Sequence, residues 1–428
     1  MKPTNWFLVV SSLALLVGCG SAAGDGGTGG STATAGSGGP GSGGPGSGGP
    51  GSTGSGATNG SSGTGATSGN GSSTATGGGP GPWNTGNPDA SCSGGPPPGG
   101  QAVDTSNPSH VVGNGTAGSC TSAALDSAAT QGGIIVFDCG PDAVTISVTS
   151  TINLPVDQDT VIDGGQKVTL DGGGSVQILR FDSGNFKANE HRLTLQHIAL
   201  KNGKQTPTVV IPPAPAPCSQ GFNDGEGGAL YMRDGNLTII DSIFENNQAA
   251  PLGPDTGGGA IYVLGSKHGG IIVHSTFQGN QASNAGAVGG LFCEWDIYDS
   301  LFDSNTAIGN GANSDNASQC SAINNGQHEV GSGGNGGAIY SDGASVDVTL
   351  CGDKIVNNAA GNNAFGGGLF FTSNDFGGTL TIIDTTMTGN TGGHWTQAQS
   401  GSVTDVGTAI GVNAKSITVQ NSSLQGAP

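Results

Sequence analysis

Charge is scarce in this 428-residue chain, and positive charge scarcest. Only 10% of residues are charged, with 11 Lys and Arg against 30 Asp and Glu, giving a formal net charge of −19. That shortage of cations argues against nucleic acid as a partner and against holding anionic membranes through basic residues. A pI near 4.3 suits a solvent-exposed secreted surface. No apolar run long enough to cross a bilayer follows the amino terminus. No C-x-x-C pair is present, which removes the usual zinc spacing. What the chain has in quantity is glycine, 85 residues of it, unevenly spread.

The first stretch carries an address. Met1 and Lys2 open a short positive region, and Phe7 to Val17 is an apolar run broken by two serines. This is a signal-peptide core, too short to remain as a span. It closes with Leu16-Val-Gly-Cys19, which resembles the lipobox of bacterial lipoproteins. The resemblance implies removal of residues 1–18 and a lipid on Cys19. With Gly20 rather than Asp following, it also implies delivery to the outer membrane. Residues 19–100 are mostly Gly, Ser, Thr, Pro and Ala, with Asp25 the only charge before Asp89 and Gly36-Ser-Gly-Gly-Pro40 repeated directly. Such a segment cannot bury enough apolar surface to offset its ordering entropy, so it is expected to be a disordered tether.

Residues 101–428 read as one repeating domain. Gly227-Gly-Ala-Leu230 leads to Phe244-Glu-Asn-Asn247, Gly258-Gly-Ala-Ile261 to Phe277-Gln-Gly-Asn280, and Gly289-Gly-Leu-Phe292 to Phe302-Asp-Ser-Asn305. Further copies run from Gly336 to Asn358 and from Gly367 to Asn390, with a worn one from Gly407 to Leu424. Repeats of this period signal a solenoid or a propeller. Aligned on F-x-x-N, Leu193, Leu237, Trp295, Leu380 and Ile417 share one inward column, and Leu195, Ile239, Ile297, Ile382 and Val419 another. Between them lies an outward column of Thr194, Thr238, Ile271, Asp296, Thr349, Thr381 and Thr418. That alternation is the period-2 mark of a half-buried strand. Repeat spacings vary too widely for propeller blades but suit loops growing from one corner of a coil. The expected fold is all-β, a right-handed parallel β-helix. A short helix around Cys120–Thr130, with Ser122 as candidate N-cap, caps its first turn.

These features resemble the pectin-lyase-like right-handed β-helix superfamily. The resemblance rests on that helix, Phe137-Asp-Cys-Gly140, Val161-Ile-Asp-Gly-Gly165 and the G-G-A-I and F-x-x-N repeats. The repeats are similar to those of polymorphic outer membrane proteins and of bacterial surface lipoproteins. The superfamily implies two kinds of activity: non-enzymatic adhesion or display, or attack on an extracellular polysaccharide. The galacturonan-hydrolase patterns N-T-D, D-D, G-H-G and R-I-K are absent, and Arg180, Arg192 and Arg233 sit in no lyase motif. The expectation is therefore a lipid-anchored, non-enzymatic surface protein, with a polysaccharide lyase or hydrolase as the alternative. Its partners would be the membrane, through the lipid, and a polysaccharide or surface protein.

Two groups of residues remain. An exported chain keeps disulfides: Cys120–Cys139 is the expected staple of the cap, and Cys320 would pair with Cys351 or with Cys293. The column His197, Asp241, His274, Asp299, Gly352, Asp384 and Asn421 reads as turn residues, with a metal-binding stripe as the alternative. In the third coil the outward threonines give way to Glu294, Asp296 and Tyr298, with Asp347 expected alongside in the next coil. Three carboxylates so placed would suit calcium, and Tyr298 could stack on a sugar ring.

Overall fold

In the computed structural model, the apolar–polar alternation becomes strand after strand of parallel sheet. Residues 83–208, 225–253, 256–309, 333–361, 364–392 and 410–424 are described, all within one compact unit, Ala75–Pro428. The described strands form sheets of 17, 8 and 2 strands, and their pairings are parallel. The chain visits the sheets in rotation. Leu230–Arg233 lies in the 8-stranded sheet, Asn236–Ile240 and Ile243–Glu245 follow in the large one, and Ile261–Leu264 returns to the first. Each strand pairs with its counterpart one repeat later, as Leu237 does with Gly270 and Phe244 with Phe277. The result is an all-β stack of long parallel sheets with no closed barrel.

Like residues stack because the register is conserved from coil to coil. Leu193 pairs with Leu237, Ile239 with Ile272, Ile272 with Ile297, and Ile382 with Val419. Phe244, Phe277 and Phe302 are fully buried, their rings parallel and 4.9 and 4.7 Å apart. Beside them runs an amide ladder. Asn247 Nδ2 donates to Asn280 Oδ1 at 3.0 Å, and the pattern continues through Asn305, Asn358 and Asn390 at 2.9 Å each. After these asparagines the sequence departs from the repeat pattern for stretches of unequal length. The register survives those departures: Thr306 pairs with Ala359 and Val288 with Ile339, although residues 310–332, outside those described, intervene.

The helix Ser122–Ala129 packs on the first strands, and its Leu125, Ala128 and Ala129 are buried. Its N-cap is Thr121, one residue before the expected Ser122; the Thr121 hydroxyl accepts from the Ala124 N–H at 3.2 Å. Cys120 and Cys139, before and after this helix in sequence, form a disulfide.

The expected tether is shorter than residues 19–100. From Trp83 the chain is packed against the large sheet as a strap without regular secondary structure, and Thr85, Asn87 and Cys92 are buried. Its hydrogen-bonding groups find partners in distant coils, which a composition of Gly, Pro and Ser cannot reveal. Asn87 Nδ2 donates to the Gly352 carbonyl at 2.7 Å, and the Val103 N–H to Gln196 Oε1 at 2.8 Å. Cys351 is bonded to Cys92 rather than to Cys320, which lies outside the described residues, and Cys293, the other expected partner of Cys320, is a buried free thiol. The strap also explains the outward column. Thr194, Thr238 and Ile271 point away from the core yet are buried, the last beneath Gly99. Thr238 also accepts from Arg192 Nη1 at 2.9 Å. Farther along, Thr349 and Thr381 are half-buried.

Candidate binding face and charged corner

The outward side of Trp295–Tyr298, in the large sheet, carries an acidic row. Glu294 is exposed, and Asp296 and Tyr298 are half-buried. The Trp295 N–H donates to the Asp347 carbonyl at 3.0 Å, and Asp296 pairs with Thr349. Glu294 and Asp347 are therefore neighbours on adjacent strands, about 4.8 Å apart along the stack. Burial, then the Asp347 and Asp296 charges, raise the Glu294 carboxyl above its usual range. Asp296 is raised by burial and by Asp347, against a hydrogen bond from Thr349. Burial and the neighbouring Asp296, Asp353 and Asp299 push the Tyr298 hydroxyl up.

Threonines compete for these oxygens. Asp347 Oδ1 accepts from both the backbone N–H and the hydroxyl of Thr379, at 2.7 and 2.8 Å. Among the described residues, the only three ligand atoms mutually within 4.8 Å belong to Cys92, Cys351 and Asp384, where the sulfurs are already joined to each other. Calcium asks for six to eight oxygens. This face offers a spread of carboxylates rather than a gathered set.

The column of turn residues forms one sharp corner. His197, Asp241, His274, Asp299, Asp384 and Asn421 all have φ between 45° and 51°, and Gly352 has φ 72°. Short polar side chains tolerate this left-handed geometry best, which accounts for Asp and Asn there. The side chains also join into a chain of alternating sign, which the sequence reading missed. His197 Nδ1 lies 3.0 Å from Asp163 Oδ1 and its Nε2 3.5 Å from Asp241 Oδ2; His274 Nδ1 bonds the other Asp241 oxygen. The signal was available: His197 and His274 flank Asp241 in one column. Asp163 belongs to no repeat and could not have been placed.

The hydrogen bonds that His197 donates to Asp163 and Asp241 raise it to about 9, and the bond to Asp241 raises His274. Burial pushes Asp241 up, but both imidazoles outweigh it and bring it down to about 2. Asp163 is lowered in the same contest between burial and its donors His197 and Gln196. At neutral pH His197 is thus an imidazolium between two carboxylates, and it is not a free general base. The strap hangs on the same corner. Thr105 Oγ1 donates to Asp163, the Thr85 hydroxyl meets His274 Nδ1, the Cys92 N–H donates to Asp299, and the Ser93 N–H to Asp384.

His328 and His394 lie outside the described residues, as does Cys19. His268 bonds Glu190 on the surface. No helix among the described residues is long and apolar enough to cross a membrane. No protein-family model, curated protein or solved structure matches this chain.

Proposed function

We propose that the chain is a right-handed parallel β-helix of the pectin-lyase-like kind, held on a bacterial outer membrane by a lipid on Cys19. It acts without catalysis, presenting corner loops to a polysaccharide or a surface protein. The supporting observation is the unbroken register on both sides of residues 310–332. A coil that keeps its pairing whatever leaves its corner is a scaffold on which loops vary freely. The charge-compensated histidine corner favours the same reading, since its titratable groups are engaged in holding the strap.

Replacing residues 310–332 with a short Gly-Ser link tests it. The sheet content and melting temperature should stay unchanged, while retention on an immobilised panel of acidic and neutral polysaccharides or surface proteins is lost. Release of unsaturated or reducing products from any glycan would overturn the non-enzymatic reading. Mass spectrometry of the membrane fraction should find an acylated Cys19 as the first residue.

One observation favours the glycan-active alternative, with calcium as its cofactor: the acidic row of Glu294, Asp296 and Asp347 beside Tyr298. Calorimetric titration of calcium into the wild type and into Asp296→Asn separates the two. Heat that disappears in the variant supports the alternative, and equal or absent heat removes it.

A further inference from the structure

A pull on the chain ahead of Trp83 reaches the middle of the stack before its capped end. The strap meets His274 and Thr276 through Thr85 and Gly86, then Asp299 and Gly352 through Asn87, then Lys354 through Asp89. At Cys92 it is bonded to Cys351, and the Ser93 N–H rests on Asp384. From there it doubles back across the sheet. Gly99 lies over Ile271, Gly100 over Val273, Val103 binds Gln196, Thr105 binds Asp163, and Ser109 donates to the Ile134 carbonyl. The next residues form the strand His110–Gly113, which among the described strands pairs only with Gly133–Asp138.

Two routes for tension follow from this path. Without the Cys92–Cys351 bond, the strap contacts would be loaded one after another, back to the edge strand His110–Gly113. The stack would then open from its end. With the bond, tension enters Val348–Cys351, which pairs through four residues with Trp295–Tyr298 on one side and through four with Thr379–Ile383 on the other. A strand held on both sides must break two ladders together, whereas a strap of isolated contacts yields singly.

We propose that the Cys92–Cys351 disulfide passes tension from the N-terminal chain into the centre of the parallel sheets, sparing the capped end. The source of that tension rests on the tethered-display reading. The mechanical property belongs to the folded chain and is measurable without anchor or partner, so either idea can fail alone.

Single-molecule pulling on the full chain, with handles at both termini, tests it in oxidised wild type and in Cys92→Ser, which leaves Cys120–Cys139 intact. The variant should show an early, low-force event absent from the oxidised wild type. Peeling residues 92–109 would release about 60 Å of chain at roughly 3.3–3.6 Å per residue. If the variant does not fold, a Cys120→Ser, Cys139→Ser background folded first and then reduced with a dithiol provides the comparison, since Cys92–Cys351 is then the described disulfide that opens. Amide exchange gives a second reading: the Cys92, Ser93 and Val103 N–H groups should exchange roughly tenfold faster on loss of the bond, with Ile297 and Leu350 unchanged. Identical force traces with and without the bond, or strap and sheet amides responding alike, would overturn the proposal.

Discussion

His197 stands between Asp163 and Asp241, with Nδ1 3.0 Å from one carboxylate and Nε2 3.5 Å from the other. Its raised pKa, about 9, makes it a source of stability with a defined pH window. The unfolded value is near 6.5, so the contribution is fully present below that and disappears as pH rises through 9. Replacing His197→Gln should cost on the order of 2 kcal/mol at pH 7 after allowance for partial solvent screening. In urea titrations the gap between wild type and variant should shrink to near zero by about pH 10. A gap independent of pH would mean that the ring contributes by packing alone.

Asp353 carries the opposite sign. It replaces a hydroxyl in a ladder where the Ser242 N–H donates to Ser275, Ser275 to Ser300, and Ser300 to Asp353 Oδ1. The hydroxyls also donate to a carbonyl two residues back, as Ser300 does to Tyr298. An ionised carboxylate cannot do that, and Asp353 Oδ2 is buried without a partner. Burial raises its pKa well above the ordinary carboxyl value. The fold is therefore penalised increasingly as pH rises above about 4. Asp353→Ser should stabilise by about 1–3 kcal/mol at neutral pH and by less at pH 4. A loss of stability at pH 7 would show that the acid has a partner in solution.

Asn305 sits mid-ladder, accepting from Asn280 and donating to Asn358. Asn305→Ala leaves buried groups unmatched in both neighbouring coils. A loss of about 2–4 kcal/mol is expected by chemical denaturation, exceeding that of Asn390→Ala near the end of the stack.

Gly352 interrupts a column otherwise built of His, Asp and Asn. A Cβ there would lie 2.3 Å from both Asp299 Oδ1 and the Cys92 nitrogen, and its φ is 72°. Gly352→Ala should therefore displace the strap. The expected readout is faster reduction of Cys92–Cys351 with little change at Cys120–Cys139, followed by mass spectrometry of alkylated thiols.

The sheet register was legible because each inward column repeats the same chemistry. Leu237, Ile239, Trp295, Ile297, Leu380 and Ile382 are all buried, as period-2 alternation requires. The asparagine column was legible for the same reason. The strap was not. Trp83–Gly100 has the composition of the tether before it, and its order comes from contacts with residues such as Asp299 and Cys351, hundreds of positions away. The expected Cys320–Cys351 pair joins cysteines close in sequence, and a return strap defeats that expectation. Gly352 was legible as a turn residue, and the strap's passage gives the reason for a glycine there. The acidic row and Thr349 beside it were visible in order, yet the hold of Thr379 on Asp347 shows only in the structure.

The strap's fixed length has a consequence for how such a chain can grow. Each coil answers only to its neighbours, so whole repeats can in principle be gained or lost without recasting the others. Between Cys92 and Ser109, however, a set number of residues must span every layer from Cys351 down to Ile134. An extra coil beneath it would demand about 4.8 Å more reach. The strap is thus a ruler: it holds the copy number of the coils under it, and leaves those beyond Cys351 free to multiply.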